Sequence, residues 1–297
     1  MSPFAWETVC HWSAVALYIA ATVGFAYALF FGGLPKQIVS STSSNPEPDS
    51  AIRNPQSAIQ GALWVTVAGL AMHSVALVLR YIHVGHGPYM LKYEVLSSNA
   101  WITIVMLLLF VWRKPNWAPL ALLALPVSIL MVGLGLFTNP EARNLPPTLR
   151  SLWLVFHVIF NKLAVGAFIL SMASAIVLLR KLKGASGRWL DRLPAPDVVE
   201  AYTVRFIGFG FVFWTTTIGA GAIWANQSWG RYWGWDPIET WSLVTWLAYA
   251  ILLHARLFFR LKPATLAWGT ISCFVLSVLT VLIFPFVFPS MHSAYFQ

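Results

Sequence analysis

Long apolar stretches alternate with short polar or Pro/Gly-rich breaks along nearly the whole chain. A bilayer core of roughly 30 Å requires about 20 mostly apolar residues in each helical span. This length predicts about eight transmembrane helices, at residues 12–31, 61–82, 99–112, 117–137, 149–179, 204–224, 242–261 and 265–288. Because backbone polar groups inside a bilayer must bond internally, we expect an all-α, polytopic integral membrane bundle that forms one membrane domain over residues 1–297.

The composition excludes a soluble globular protein. Hydrophobic residues make up 58% of the 297 residues and charged residues only 10%, whereas soluble domains carry about 25% charged residues. The net charge of +9 comes from Lys and Arg clusters between apolar stretches, as in membrane loops, so we expect no nucleic-acid partner. The two cysteines are far apart in the sequence, which argues against a disulfide framework.

The positive charges also predict the orientation of the chain. If the N-terminus is outside, thirteen of the 19 Lys and Arg fall on the inner side and five on the outer side, with Lys162 inside the fifth span. Lys and Arg near span ends are retained in the cytoplasm. The bias therefore predicts that both the N-terminus and the C-terminus are outside.

A tryptophan-rich segment at residues 225–241 connects the sixth and seventh predicted spans on the outer side. Six of the chain's 16 Trp lie between Trp224 and Trp246. One interpretation is an interfacial Trp belt that anchors helices at headgroup level. The other is an apolar shelf on which a planar ligand stacks, with close backbone approach at Gly230 and Gly234.

This segment resembles a known family. Its residues read Trp-Gly-Arg-Tyr-Trp-Gly-Trp-Asp-Pro-Ile-Glu-Thr-Trp, and Leu-His-Ala-Arg follows around His254. The run is similar to the WWD signature of the CcsA/ResC subunit of the system II cytochrome c synthase, and less closely to the system I proteins CcmC and CcmF. The resemblance implies a haem-binding loop at 225–241 whose contacts are Trp229, Trp233, Trp235, Asp236 and Trp241.

Histidine motifs extend the resemblance over most of the chain. Gly-His-x-Pro around His86, Trp-Leu-x-x-His-Val around His157 and His-Ser-x-Tyr from His292 are similar to family elements. The resemblance implies that His157 and His292 are the paired axial ligands of haem b, and it adds His86 as a haem-site candidate. Physical chemistry is compatible, because two imidazoles near one outer loop can ligate one haem iron. Alone, each histidine could equally be a satisfied interfacial side chain.

Other ionisable residues within or beside the spans also point to sites. The resemblance implies that His254 ligates a second, transmembrane haem, with its second ligand from a partner subunit or from His73. The alternative is that His254 bonds a neighbouring hydroxyl or carbonyl. Lys162 either faces a cavity or a haem propionate, or snorkels. His11 and His83, near outer span ends, are expected to be solvated.

Asp236 and Glu239 flank Pro237 at the predicted start of the seventh helix. Carboxylates there suit the positive end of the helix dipole, so a capping role is expected. A secondary role in ordering the loop, or in holding an arginine such as Arg231, is also open.

The function implied by the resemblance is cytochrome c biogenesis. The chain would present haem at the outer membrane face for thioether attachment to apocytochrome c CxxCH, together with a ResB/Ccs1-type membrane subunit. The alternatives are a haem carrier without synthase activity and a membrane scaffold. No catalytic acid or base stands out in the sequence. If the chain takes part in catalysis, the resemblance implies that it does so as a subunit of a cytochrome c synthase (haem lyase). We expect the chain to contact membrane lipid and to lie in the bacterial inner membrane or the thylakoid membrane. Its active face would be extracytoplasmic.

Overall fold

Helices dominate the computed structural model, which describes residues 3–31, 55–138, 145–185 and 190–291. Within these ranges the chain contains no β-strand. Eight helical segments there are long and apolar enough to cross a membrane. The expectation of an all-α membrane protein with about eight spans is therefore confirmed.

The bounds of the helices follow the predicted order of spans. The long helices are α1 Pro3–Phe30, α2 Pro55–Val84, α3 Lys92–Arg113, α4 Ala121–Leu136, α5 Leu152–Leu182, α6 Pro196–Trp229, α7 Pro237–Phe258 and α8 Pro263–Val278. The 3₁₀ turns Pro115–Leu120 and Pro147–Leu149 precede α4 and α5, and a π turn, Leu279–Ile283, leads from α8 into the short α9, Phe284–Val287.

Several predicted helix ends were wrong, because hydropathy detects the apolar part of a helix rather than its termini. The third helix begins at Lys92 instead of residue 99, since the polar side chains of its first turns are buried and bonded; Glu94 accepts a hydrogen bond from Arg80 Nε at 2.9 Å. The sixth begins at Pro196 and the seventh at Pro237, because proline suits the first helical position. Polar residues thus extend the helices beyond the apolar stretches.

The fifth and eighth helices also differ from their predicted bounds. α5 begins after Ser151 rather than at residue 149, because the Ser151 hydroxyl accepts the Trp153 N–H at 3.2 Å and caps the helix. The eighth is not a continuous α-helix to residue 288, since the π turn interrupts it. π turns are rare in proteins, but those that occur are often found at functional sites.

The position of each helix in the bundle is reflected in its burial. In the most apolar 18 residues, 83% of α5 is buried but only 17% of α7. α5 packs against α6, α3 and α8, whereas α1 packs mainly against α2 and α7 against α6 and α8. α5 is therefore the central helix, and side chains on it can face an interior cavity.

Three connections and the end of the last helix lie at the same end of the bundle. Tyr89 in the α2–α3 connection, Leu149 before α5, Trp233 between α6 and α7, and Val287 in α9 all line one cavity. We call residues 230–236 the tryptophan loop and this side of the bundle the tryptophan-loop end.

Candidate functional site

A cavity of about 560 Å³ opens among the helices at the tryptophan-loop end. Its walls come from α3, α4, α5, α6, α7, α9, the π turn and the connections at this end, and most of the wall side chains are apolar. Ligand pockets usually enclose about 300–1,000 Å³. The titratable side chains in the walls are Tyr89, Lys92, His157, Lys162 and Glu239.

His157 lies in the second turn of α5 and lines the cavity. Its Nδ1 is 2.9 Å from the carbonyl oxygen of Thr217 on α6, and its ring stacks on Trp224 with centroids 6.4 Å apart. A neutral imidazole that donates its Nδ1–H to a carbonyl carries the lone pair on Nε2, which is the form that ligates metals. α6 therefore sets both the tautomer and the orientation of this ring.

Gly221 allows α6 to approach the His157 ring. A Cβ atom at this position would lie 2.6 Å from Nδ1 and 3.0 Å from Cε1 of His157. A contact this short forces one group to move, so no larger residue can keep the same imidazole position. The neighbouring Gly219 has nothing within 4 Å of its corresponding Cβ position.

Three indoles line the cavity: those of Trp214 and Trp224 on α6 and that of Trp233 in the tryptophan loop. Trp224 is 2% exposed and donates from Nε1 to the Thr148 carbonyl at 2.8 Å. Trp233, from the tryptophan loop, is partly buried and also lines the cavity. Trp229 does not line it and instead packs edge-on against Trp224 with centroids 4.9 Å apart.

The other two candidate tryptophans face elsewhere. Trp241 lies in α7 and packs against Phe284 with centroids 4.3 Å apart. Trp235 is 70% exposed and makes an edge contact with Trp233 at 5.9 Å. The tryptophans of the segment thus do not form one flat shelf; Trp233 and Trp224 face the cavity and the others buttress them or point to the surface.

The tryptophan loop is shorter than the predicted 225–241 loop, because both flanking helices extend into it. α6 continues to Trp229 and ends at Gly230, whose φ of 72° is the left-handed cap conformation suited to glycine. α7 begins after Asp236, which accepts the Ile238 N–H at 3.0 Å. Only residues 230–236 are therefore non-helical.

Glu239 confirms the predicted capping role and also orders the loop. Its Oε2 accepts the N–H groups of Gly234 at 2.8 Å and Asp236 at 3.1 Å, on either side of Trp235. Trp235 has a φ of 56°, which is unusual for a residue with a side chain. The Glu239 carboxylate holds this strained turn in place.

Asp236 connects the loop to the end of the described chain. Its Oδ2 accepts the backbone N–H of Met291 at 2.8 Å, and Arg231 contacts the Met291 sulfur at 3.1 Å. Asp236 itself is buried and does not line the cavity. His292, the predicted second axial ligand, lies outside the described residues.

His86 lies in the α2–α3 connection and is 6% exposed. Its Nδ1 is 2.8 Å from the Gly87 carbonyl, and its ring packs against Tyr89 at 5.6 Å. Tyr89, but not His86, lines the cavity. Burial, with a smaller effect of Glu94, raises the pKa of Tyr89, so its hydroxyl stays neutral. His86 therefore supports the cavity wall from behind.

His254 lies near the other end of α7, on an exposed face of the helix. Its ring stacks on Phe258 at 4.5 Å and contacts the edge of Phe259 at 5.7 Å. It does not line the cavity. Any ligand of His254 is thus separate from a ligand of His157.

His73 takes part in a buried polar cluster among α1, α2 and α3. Its Nε2 and that of His11 both lie 2.8 Å from Ser97 Oγ, and its Nδ1 is 3.3 Å from the Tyr18 hydroxyl. Both ring nitrogens are occupied, on a helix that packs mainly against α1. The structure therefore does not bring His73 to His254.

His11 was expected to be solvated, and this prediction was wrong. Its exposed fraction is 0%, and Tyr93 OH lies 2.8 Å from its Nδ1. Tyr93 also donates to Glu7 at 2.8 Å. The burial arises because polar residues of α3 face α1 and form a polar interior that hydropathy alone does not reveal.

Sequence reasoning missed two features of the cavity. Gly221 carried a usable signal, since a glycine inside a helix often marks a close packing contact. The π turn carried none, because no residue type specifies it. Lys162, a charge within a span, was noticed and does line the cavity.

Comparisons with known proteins identify the family of the chain. The family model described as "Cytochrome C assembly protein" matches residues 68–292. The chain is 34% identical over 234 residues to the cytochrome c biogenesis protein CcsA of Prochlorococcus marinus (strain MIT 9301), covering 68% of this chain and 75% of that protein. It is 36% identical over 187 residues to CcsA of Chlamydomonas reinhardtii, covering 61% of this chain and 53% of that protein.

A further relative is Protein NrfI of Wolinella succinogenes, 38% identical over 202 residues. That match covers 63% of this chain but 21% of NrfI. The chain thus spans about half of the Chlamydomonas reinhardtii protein and about a fifth of NrfI. The family match extends from α2 to the end of the last helix and includes the whole cavity wall. The chain belongs to the cytochrome c assembly protein family, as an integral membrane protein of the CcsA type.

Proposed function

We propose that the chain binds haem b in the cavity at the tryptophan-loop end and presents it for covalent attachment to the CxxCH motif of apocytochrome c. The observation that carries this proposal is His157, a bonded and oriented imidazole in the wall of an apolar cavity of about 560 Å³. Three indoles in the same cavity wall, those of Trp214, Trp224 and Trp233, offer apolar surfaces for a conjugated ring. The size and polarity of the cavity and the imidazole donor in its wall all fit haem b.

The chain's own residues would hold the haem and keep it accessible. The hydrogen bond to Thr217 favours the tautomer of His157 whose lone pair is on Nε2, and Trp224 restricts rotation of the imidazole. We propose His292 as the second ligand on the basis of the family resemblance. In its support, Asp236 binds Met291, the residue that precedes His292 in the sequence.

On this proposal no acid or base of the chain is assigned to the attachment step. Bound haem supplies the vinyl groups to which the two cysteine thiols of the apocytochrome add. The apolar walls exclude water, and the bonded loop restricts the orientation of the ligand, so the contribution of the protein is positioning. On this proposal the chain acts as a subunit of a cytochrome c synthase rather than as a complete enzyme.

We further propose a ResB/Ccs1-type membrane subunit as the partner, with membrane lipid around the remaining surface. The family resemblance supports this partner. The proposed location is the bacterial inner membrane or the thylakoid, with the tryptophan-loop end on the extracytoplasmic side. The bias of Lys and Arg toward the other end supports this face.

A second candidate function is haem transfer from the other side of the bundle, and the position of His254 favours it. This imidazole is exposed within a span, where an ionisable side chain needs a partner. Because His73 is bonded within the α1–α3 cluster, we propose that the second ligand of such a site comes from the partner subunit.

The test of haem binding is the absorption spectrum of the purified chain and of two histidine variants. His157→Gly should lose haem, and free imidazole should restore part of it by filling the vacated position. His83→Gly, at an exposed histidine outside the cavity walls, should keep a normal spectrum. A normal haem content in His157→Gly would overturn the assignment of the site.

Coexpression separates the two functions. The chain, a ResB-type partner and an apocytochrome are produced together, and covalent haem is scored on the apocytochrome. Covalent haem that depends on this chain supports presentation for attachment. Haem bound by the chain without covalent product supports the carrier function, and haem lost from His254→Ala only when the partner is present supports a shared transfer site.

A further inference from the structure

Lys162 is a buried cation in the wall of the cavity. It lies on the central helix α5, five residues after His157, and its exposed fraction is 6%. A charged side chain inside a membrane protein is costly unless it is paired, and it usually faces a partner or a functional cavity.

The hydrogen-bond partners of Lys162 in the described residues are neutral groups. Its Nζ donates to the hydroxyl of Ser98 and, at 3.3 Å, to the carbonyl of Pro88. An ammonium group has three N–H donors, so these two acceptors leave one donor and the positive charge itself unmatched. Hydrogen bonds hold this cation in position without neutralising it.

Among the described residues, no carboxylate forms an ion pair with Lys162 within 4.0 Å. The ion pairs within 4.0 Å in the described residues join Arg80 to Glu7 and Glu94, His83 to Glu7, and Arg256 to Glu200. Glu94 lies one turn before Ser98, but its Oε1 accepts from Arg80 and its Oε2 from the N–H groups of Met90 and Leu91.

We infer that Lys162 pairs with a carboxylate of the molecule that occupies the cavity, which is then an amphiphile with a large apolar body and an acidic edge. The apolar walls suit the body and the lysine suits the acid. This inference rests on the proposed function and deepens it, because the matching acidic groups of haem b are its propionates.

The depth of Lys162 also sets the orientation of the ligand. α5 begins at the tryptophan-loop end, so Lys162 lies about 7.5 Å deeper along the helix than His157, at 1.5 Å per residue. In haem b the propionates occupy the edge opposite the two vinyl groups. A deep lysine therefore directs the propionates into the bundle and the vinyl edge toward the tryptophan loop, where thiols of an apocytochrome can reach it.

The experiment compares two porphyrins that differ only at their two propionate groups, which are free acids in one and methyl esters in the other. Iron protoporphyrin IX and its propionate dimethyl ester are titrated into the purified full-length chain, and affinities are read from absorbance. The wild type should bind the free acid about 10- to 100-fold more tightly than the ester, as expected for loss of a hydrogen bond to a charged group.

Variants attribute the preference to this lysine. Lys162→Gln keeps donors for Ser98 and Pro88 but removes the charge, so the preference should fall to near unity with ester affinity unchanged. Lys162→Arg should keep most of it. Lys183→Met, at an exposed lysine that directly follows the same helix and lies outside the cavity, should behave as wild type.

The outcomes separate the inference from the function on which it rests. Equal wild-type affinity for acid and ester would overturn the role of Lys162 while leaving haem binding intact. A wild-type preference retained in folded Lys162→Gln would also overturn it. Failure of the wild type to bind either porphyrin would instead contradict the proposed function. If Lys162→Gln does not fold, the wild-type and Lys162→Arg titrations still decide: a wild-type preference that Lys162→Arg keeps supports the inference, and one that it loses overturns it.

Discussion

At the residue scale, the position of the His157 imidazole depends on the missing side chain of Gly221. Thr217 and Trp224 hold the ring from the same helix, and the glycine between them makes room for it. The position of His157, the proposed haem ligand, thus depends on Gly221, which has no side chain to contact it. This arrangement can be tested by adding a single methyl group.

Gly221→Ala should displace the His157 ring and weaken haem binding. The new Cβ would lie 2.6 Å from Nδ1, and overpacking of this kind costs roughly 1–3 kcal/mol, or about tenfold or more in affinity. Gly219→Ala is the matched control, because nothing lies within 4 Å of its Cβ position. Equal haem affinities for the two variants, measured by titration, would contradict the proposed role of the imidazole.

The second prediction at the residue scale concerns Ser97, whose hydroxyl contacts both His11 and His73. Ser97→Ala removes the common partner of His11 and His73, both fully buried. Buried polar groups left without a partner cost about 1–3 kcal/mol each, so thermal unfolding in detergent should shift clearly downward. Ser13→Ala, whose hydroxyl bonds only its own helix at Val9, should change stability by less than about 0.5 kcal/mol. Indistinguishable melting curves would mean that the cluster does not stabilise the fold.

At the scale of elements, close packing of α5 and α6 builds the site, because these helices carry His157 and its supporting residues. A Cβ at Gly210 would overlap the ring of Phe168 on α5, which itself stacks on Tyr249 of α7 at 3.9 Å. Small residues at such crossings let membrane helices approach closely. The crossing therefore couples three helices that line the cavity.

Gly210→Ala should destabilise the bundle, because overpacking costs about 1–3 kcal/mol and exceeds the gain in helix propensity of up to about 1 kcal/mol. Gly208→Ala, two residues earlier, meets nothing within 4 Å and should be neutral or slightly stabilising. The measurement is thermal unfolding of both variants in one detergent. A Gly210→Ala protein as stable as Gly208→Ala would show that α5 and α6 can separate without cost.

At the scale of the whole molecule, the prediction is that the tryptophan-loop end faces outside. Both native cysteines are buried, at 7% and 8% exposure, so an introduced cysteine dominates labelling. Arg231→Cys, at an exposed position of the loop, should react with an impermeant thiol reagent in intact cells, and Lys183→Cys, exposed at the other end of the bundle, should react only after permeabilisation. The reverse pattern would place the cavity on the cytoplasmic side.

The sequence by itself determined the class of the protein, the number of spans and the family resemblance. Apolar stretches of membrane length admit only helices, because the bilayer offers no hydrogen bonds to the backbone. The caps at Asp236 and Glu239 were also predictable, since capping is local chemistry. The motif around His157 identified a residue that does line the cavity.

Only the tertiary structure decided which of these residues face one another. It placed Trp233 and Trp224 in the cavity wall and Trp235 at the surface, although they are neighbours in one segment. It also bonded His73 within the α1–α3 cluster, away from His254. The physical reason is that these choices depend on helix rotation and crossing, which are set by packing between distant residues such as Gly221 and His157, and no local pattern records that packing.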